Sequence, residues 1–330
     1  MLPIAIDVMS GDRATGERLD GVVQALHADP QLAVLLTGQP DQIEPHFEHL
    51  PRTLRRRIEC VAASQVIAMD AAPRAAIRGG RDSSMRVAVN LVGDGRAAAC
   101  VSAGNTGALH AMAHYVLKTV AEVERAAIVS PIPSESGHTL MLDLGANTHA
   151  SARQLSQFAV MGCVVARELS AIAQPRVGLL NVGEEEIKGH DTVREAHALL
   201  QRSKLNYIGF VEGDDIFSGS VDVVVTDGFT GNVALKTMEG LARMLAARTR
   251  REFAAGSGNR LAAWLARRSL RRLAQGLDPR RYNGACMVGL GGVVVKSHGH
   301  ADAMAFARAV ELAATLGRGD LCAQVARAIE

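Results

Sequence analysis

Two short stretches carry the residue types that anion chemistry needs. Residues 102–107, Ser-Ala-Gly-Asn-Thr-Gly, and residues 226–231, Thr-Asp-Gly-Phe-Thr-Gly, share the pattern Ser/Thr-x-Gly-x-Thr-Gly. Each follows an apolar run and leads into helical sequence. Glycine at such a junction lets the backbone take positive φ or approach a ligand closely, and the following helix offers unpaired N–H groups and the positive end of its dipole. Together these suit an anion, above all a phosphate. The candidates are Ser102, Gly104, Asn105, Thr106 and Gly107 in the first stretch and Gly228, Thr230 and Gly231 in the second. A plainer reading stays open, in which Thr106 and Thr230 cap helices and the glycines make tight turns.

Two further stretches resemble them in composition. Residues 143–150, Asp-Leu-Gly-Ala-Asn-Thr-His-Ala, carry Asn147, and residues 181–191 carry Gly183, Glu185 and Lys188. A lysine among strand ends and helix starts completes a phosphate or oxyanion clamp. Taken as a pattern alone, three glutamates and a lysine also read as a solvated helix start. Asp7 and Asp12, at the end of the first apolar run, are candidates for a pocket wall.

Other chemistries lack their motifs. No Gly-x-Gly-x-x-Gly follows the first strand and no Walker phosphate loop occurs. His110 and His114 stand four apart, and His298 and His300 two apart, without a third ligand at metal-site spacing, so no metal is expected. A Gly-x-Ser-x-Gly elbow is missing, and none of the five cysteines has an activating setting.

The elements that must position these residues follow from the apolar runs. Residues 4–8, 33–37, 58–62, 97–101, 126–129, 139–142, 177–181, 207–211, 221–225 and 292–296 read as strands, mostly as continuous apolar runs. Strands buried on both faces have that look, so an α/β/α three-layer sandwich with a mostly parallel sheet is predicted. In such sheets ligands bind beyond the carboxyl ends of the strands, where the four polar stretches fall. The 330 residues are expected to form one large α/β catalytic domain, 1–330.

Composition narrows the partners. A net charge of +2 gives no global bias toward nucleic acid, and scattered odd-numbered cysteines suit a reducing cytoplasm. The start lacks the look of a signal peptide, and no apolar stretch approaches the ~20 residues that span a bilayer. One segment departs from the rest. Residues 241–275 hold many arginines, one acid (Glu252) and the only tryptophan, and read as a protruding basic amphipathic helical hairpin about residues 256–258. It could lie on an anionic membrane with Phe253, Leu261, Trp264 and Leu265 toward lipid, dock an acidic protein, or pack on its own domain or a dimer mate.

Taken in order, IAIDVMSGD, DSSM at 82–85, VSAGNTGAL, LDLGAN, QFAVMG, RVGLLNVGEEEIKG, VDVVVTDGFTGNVALKTMEG, DPRRYNGA and VVVKSHGHADA resemble the bacterial phosphate acyltransferases of phospholipid synthesis, the PlsX type. The resemblance runs from about Ile4 to Ala305. It implies conversion of the long-chain acyl thioester of acyl carrier protein and inorganic phosphate to acyl phosphate and free carrier protein. It further implies a fold similar to the phosphotransacetylases and the isocitrate and isopropylmalate dehydrogenases, and no cofactor. The expected setting is a homodimer on the inner membrane face, passing its product to an acyl phosphate-using glycerol-3-phosphate acyltransferase. Where relatives commonly read Met-Gly-Gly-Asp this chain has Met9-Ser10-Gly11-Asp12, and Thr148-His149 replace the usual Val-Asp.

Phosphate already carries a nucleophilic oxygen, so the chemistry asks for positioning and charge. Lys188 is expected to offset developing negative charge, with Asn147 and Asn232 as neutral donors. Asp227, which would repel phosphate, is expected to orient Lys188 or a donor, or to pass a proton to the departing thiolate, with Glu185 in similar supporting work. The alternatives are a dehydrogenase on a phosphorylated hydroxy acid and a non-enzymatic membrane-associated scaffold for carrier protein.

Overall fold

The computed structural model describes residues 2–276 and 278–329, without the side chains at 257, 260, 261, 271, 273–275 and 279. Leu261, one of the four residues expected to face lipid, therefore lies outside the described side chains, as do several within the 241–275 segment.

Eleven strands form one sheet: β1 Ile4–Asp7, β2 Val34–Gly38, β3 Ile58–Ala62, β4 Ala99–Ser102, β5 Ala127–Ser134, β6 Gly137–Leu142, β7 Arg176–Leu180, β8 Asn206–Val211, β9 Val223–Val225, β10 Ala285–Val288 and β11 Val293–Lys296. Their order is β3-β2-β1-β4-β11-β10-β5-β6-β9-β7-β8. The first five are mutually parallel, and so are the last four. Between them stand three antiparallel joins, β11 to β10, β10 to β5 and β5 to β6. Three reversals leave the two parallel blocks running in opposite directions.

Both faces of the sheet are covered. Ile4 and Ile6 of β1 turn to one hydrophobic layer and Ala5 to the other, and all three are buried. Helices Ala152–Ser170 and Ala303–Arg318 bring Phe158 and Phe306 to the first layer. Helices Ser84–Gly93 and Thr106–Leu117 bring Met85, Leu109 and Met112 to the second. A strand covered on both sides has no use for polar alternation, which is why the chain shows continuous apolar runs. The three-layer α/β sandwich is the fold expected from them.

Two expectations change. β10 was not foreseen, because its four residues lie between Gly284 and Gly289, both at positive φ, and so read as loop. The basic hairpin is three helices: Gly228–Ala254, Ser257–Leu265 and Arg267–Gly276. Its first arm is the far part of one 27-residue helix that begins at the 226–232 stretch, and every residue from 241 to 252 is exposed. Among the described residues no helix is long and apolar enough to cross a membrane.

Candidate functional site

Three of the four polar stretches meet at one sheet edge. β6, β9 and β7 are parallel neighbours, with Leu142 opposite Val225 and Val225 opposite Leu179. The turns that follow them, 143–150, 226–232 and 181–191, therefore emerge side by side. Asp143 organises the first. Its buried carboxylate accepts from the N–H groups of Ile128 (2.9 Å), Gly145 (3.1 Å), Ala146 (3.0 Å) and Asn147 (2.7 Å), and from Asn147 Nδ2 (2.9 Å). Asn147 Nδ2 also donates to the Ala126 carbonyl at 2.8 Å. The Asn147 amide is thus engaged on both sides, with Asp143 inside the turn and with Ala126 just before β5, so here it braces the turn and is not the free neutral donor expected.

The 226–232 stretch packs onto that turn. Gly228 N donates to the Asn147 carbonyl at 2.8 Å. A Cβ at Gly228 would stand 2.5 Å from that carbonyl oxygen, and one at Gly231 only 2.0 Å from the Asp143 carbonyl. Neither glycine has positive φ. What demands them is the close approach of helix to turn, not the left-handed bend also considered. Asp227 is the helix cap, accepting from Thr230 N at 2.9 Å and Thr230 Oγ1 at 2.8 Å. Capping thus falls to Asp227, three residues before Thr230, the cap in the plainer reading left open above.

Lys188 and Asn232 are both exposed at this edge, as are Thr148, His149, Thr230 and the three glutamates 184–186. Lys188 Nζ pairs with Glu185 Oε2 at 2.6 Å, which holds the lysine above and the glutamate below their ordinary pKa values. Asn181 Nδ2 closes the turn by donating to the carbonyls of Gly183 (3.0 Å) and Lys188 (3.3 Å). Lys188 is therefore oriented by Glu185, while Asp227 holds Thr230. Asn232 lies beside Gly145, its side-chain atoms 3.5–3.7 Å from where a Cβ on that glycine would stand.

The fourth stretch, 102–107, lies in the other block, where β4 ends beside β1 and β11. Ser102 Oγ donates to Asp7 Oδ2 at 2.7 Å and accepts from Gly104 N at 3.1 Å. Asn105 Oδ1 caps the next helix through Ala108 N at 2.8 Å, and its Nδ2 donates to the Met69 carbonyl at 2.6 Å. Asn105, not Thr106, is thus the cap. The N–H groups of Asn105, Thr106 and Gly107 at this helix start have no intrahelical partner, and among the described residues no other backbone acceptor. Asp12 pairs with His300 at 2.5 Å, and buried Arg18 ties the turn after β1 through the carbonyls of Val8, Met9 and Arg13.

Sequence reasoning missed two residues here. Asp143 hides in a glycine-rich turn, although a carboxylate directly after an apolar strand is a signal for such a knot. Lys296 ends β11 and donates to the carbonyls of Ala103 (3.3 Å) and Ser297. Loss of hydration lowers its pKa to about 8, against the opposing pull of Asp12. A lone lysine closing the Val-Val-Val run was the available clue.

The two blocks point their carboxyl ends in opposite directions along the sheet. Two helices cross between the edges. Thr106–Leu117 brings His110 within electrostatic reach of Asp143, and Gly228–Ala254 brings Lys236 within reach of Lys296 and His298. Burial lowers the pKa of His110, whose buried Nε2 has no hydrogen-bond partner among the described residues. Among the described residues no group of three or more His, Cys, Asp or Glu side chains could hold a metal.

Comparison with known proteins places the chain among relatives. The family model described as "Fatty acid synthesis protein" matches residues 2–324. A phosphate acyltransferase of Methylococcus capsulatus is 48% identical over 313 residues, covering 95% of this chain and 92% of the relative. One from Alkalilimnicola ehrlichii is 50% identical over 310 residues, covering 94% and 91%. Among solved structures, the EutD phosphotransacetylase from Staphylococcus aureus shares the fold with a TM-score of 0.60 at 15% identity, covering 96% of this chain and 94% of its own. A branched-chain phosphotransacylase from Enterococcus faecalis does so with 0.59 at 14% identity, covering 96% and 99%.

Proposed function

This chain belongs to the fatty acid synthesis protein family, an acyltransferase family, and we propose that it moves a long-chain acyl group from acyl carrier protein to inorganic phosphate. The products are acyl phosphate and free carrier protein. The observation that supports this best is the edge where Lys188 and Asn232 stand exposed over a turn and helix start locked together by Asp143, Gly228 and Gly231. Rigid support beneath two polar groups is what holding phosphate against a thioester carbonyl requires.

In this reading a phosphate oxygen attacks the carbonyl carbon, the C–S bond breaks, and the thiolate leaves with the carrier. Lys188 swings from Glu185 to the negative charge that develops, and the Asn232 amide donates to the same oxygens. Asp227 and Asn147 hold the helix start and the turn. The open N–H groups of Asn105, Thr106 and Gly107, with Lys296 behind them, form a second anion-binding surface on the other block, a fitting place for phosphate before reaction. The whole chain, 1–330, acts as one catalytic domain, as a homodimer without cofactor. Its expected place is the cytoplasmic membrane face, touched through residues 241–275. The product would feed a glycerol-3-phosphate acyltransferase that consumes acyl phosphate, and so glycerophospholipid synthesis.

The test is thiol release from palmitoyl-acyl carrier protein with and without phosphate, with the product trapped by hydroxylamine. Phosphate-dependent release with hydroxamate formation is expected. Release that ignores phosphate, or none from folded protein, would reject the reading.

A further inference from the structure

Breaking the C–S bond of a thioester leaves a thiolate that takes up a proton, and neither Lys188 nor Asp227 suits that task. Lys188 is paired with Glu185 and held above its ordinary pKa, while Asp227 is engaged by Thr230 N and Oγ1. A proton is given most readily by a group whose pKa lies near the working pH and near that of the acceptor, here a thiol at about 8.5.

Lys296 has that character and is placed to use it. It ends β11 beside Ser102 of β4 and is half-buried. Its ammonium donates one hydrogen to the Ala103 carbonyl at 3.3 Å and one to the Ser297 carbonyl, and the third meets no acceptor among the described residues. Asp7 and Asp12 lie within electrostatic reach, yet lost hydration outweighs them and brings the pKa down to about 8. At neutral pH the group is charged and ready to give up a proton.

The long helix Gly228–Ala254 links this lysine to the Lys188 edge. Asn232 lies against Gly145, and Lys236, which pairs with Glu239 at 3.0 Å, stands within electrostatic reach of Lys296 and His298. Residues four apart share a helix face, about 6 Å along the axis. One turn of this helix therefore leads from the 143–147 turn toward the end of β11.

We propose that Lys296 is the catalytic acid of the transfer, giving its proton to the sulfur as the C–S bond breaks. The inference rests on the acyltransferase reading above. Phosphate enters as its monohydrogen dianion, and one of its oxygens forms the new bond to the carbonyl carbon. The electron pair of the C–S bond leaves on sulfur, which takes the Lys296 proton. The neutral amine then accepts the proton that the phosphoryl group still carries. Free thiol and acyl phosphate dianion depart, and Lys296 is charged again.

The test is kcat/KM for palmitoyl-acyl carrier protein between about pH 6.5 and 9.5, with phosphate well below saturation so that the free enzyme is read. The titratable groups that face Lys296 are Asp7 on β1, Asp12 in the turn after it, Lys236 on the long helix and His298 just past β11. The wild type is expected to lose about tenfold per pH unit above about 8. Lys296→Met should be slower by about a hundredfold or more and lack that fall. Lys296→Arg keeps the charge but does not release a proton, and should be as slow. A flat wild-type profile overturns the proposal and needs no variant to fold. So does a folded Lys296→Met or Lys296→Arg enzyme within about threefold of the wild type, the latter because a fixed charge would then suffice. A wild type without phosphate-dependent release at any pH is a different result, and removes the underlying reading.

Discussion

At the scale of single residues, the chain separates groups that act from groups that hold. Lys188 is exposed, and its side chain pairs with the exposed Glu185, so its removal should spare the fold and strike the reaction. Lys188→Ala is expected to lower turnover about a hundred- to a thousandfold, with the melting temperature unmoved; near-normal turnover would remove Lys188 from the mechanism. Asp143 is the opposite case. Its carboxylate accepts five hydrogen bonds in a buried turn, and Asp143→Ala strands those donors, so a loss of about 3 kcal/mol or more in urea unfolding is expected. Lys296 offers a signature in pH. Its folded pKa, lowered to about 8 by lost hydration, lies below the ordinary 10.5, so the burial cost is fully present below pH 8. Between those values the unfolded chain binds more protons, and stability rises with pH. The wild type should therefore gain up to about 3 kcal/mol on Lys296→Met across that window; parallel pH curves for the two would contradict it.

At the scale of elements, the junction between the 143–147 turn and the long helix depends on backbone contact. A methyl group at Gly231 meets the Asp143 carbonyl, so Gly231→Ala should destabilise the protein by about 1–3 kcal/mol and lower activity together with it, measured by unfolding and turnover on the same preparation. This junction also shows what the sequence could reveal. All ten expected strands are present, because strands covered on both faces write themselves as apolar runs. The stretches 102–107 and 226–232 were visible as helix starts after strands. Their glycines were readable as necessary, but the reason, close packing on 143–147 or on Ser10 and Met85, needs the partner in view. The duties of Asn147 and Asp227 were not legible either, since a free amide and a spent one look alike in a string of letters. β10 escaped because four residues between two turn glycines carry too little periodicity to stand out.

At the scale of the whole molecule, the reversal in the middle of the sheet stands between two sets of strand-end loops, and two helices run from one toward the other. The exposed basic arm extends from one of those helices. Trp264 and Leu265 are 60% and 69% exposed, with Arg267 stacked against the Trp264 ring. Flotation with anionic liposomes is expected at low salt and to weaken at high salt, and Trp264→Glu with Leu265→Glu should abolish it; unchanged flotation would place membrane contact elsewhere. The sheet order carries one more consequence, for assembly. β1 to β4 come from the first third of the chain and β5 to β9 from the middle, yet β4 and β5 never touch: β11 and β10 stand between them. As the ribosome delivers the chain, each half can form early, but each must wait with a bare strand edge until residues 285–296 arrive to weld them. A nascent chain stalled after β9 but before β10 leaves the inner edges of both blocks, β4 and β5, without the strands that join them, which is where a chaperone would find bare edges to cover.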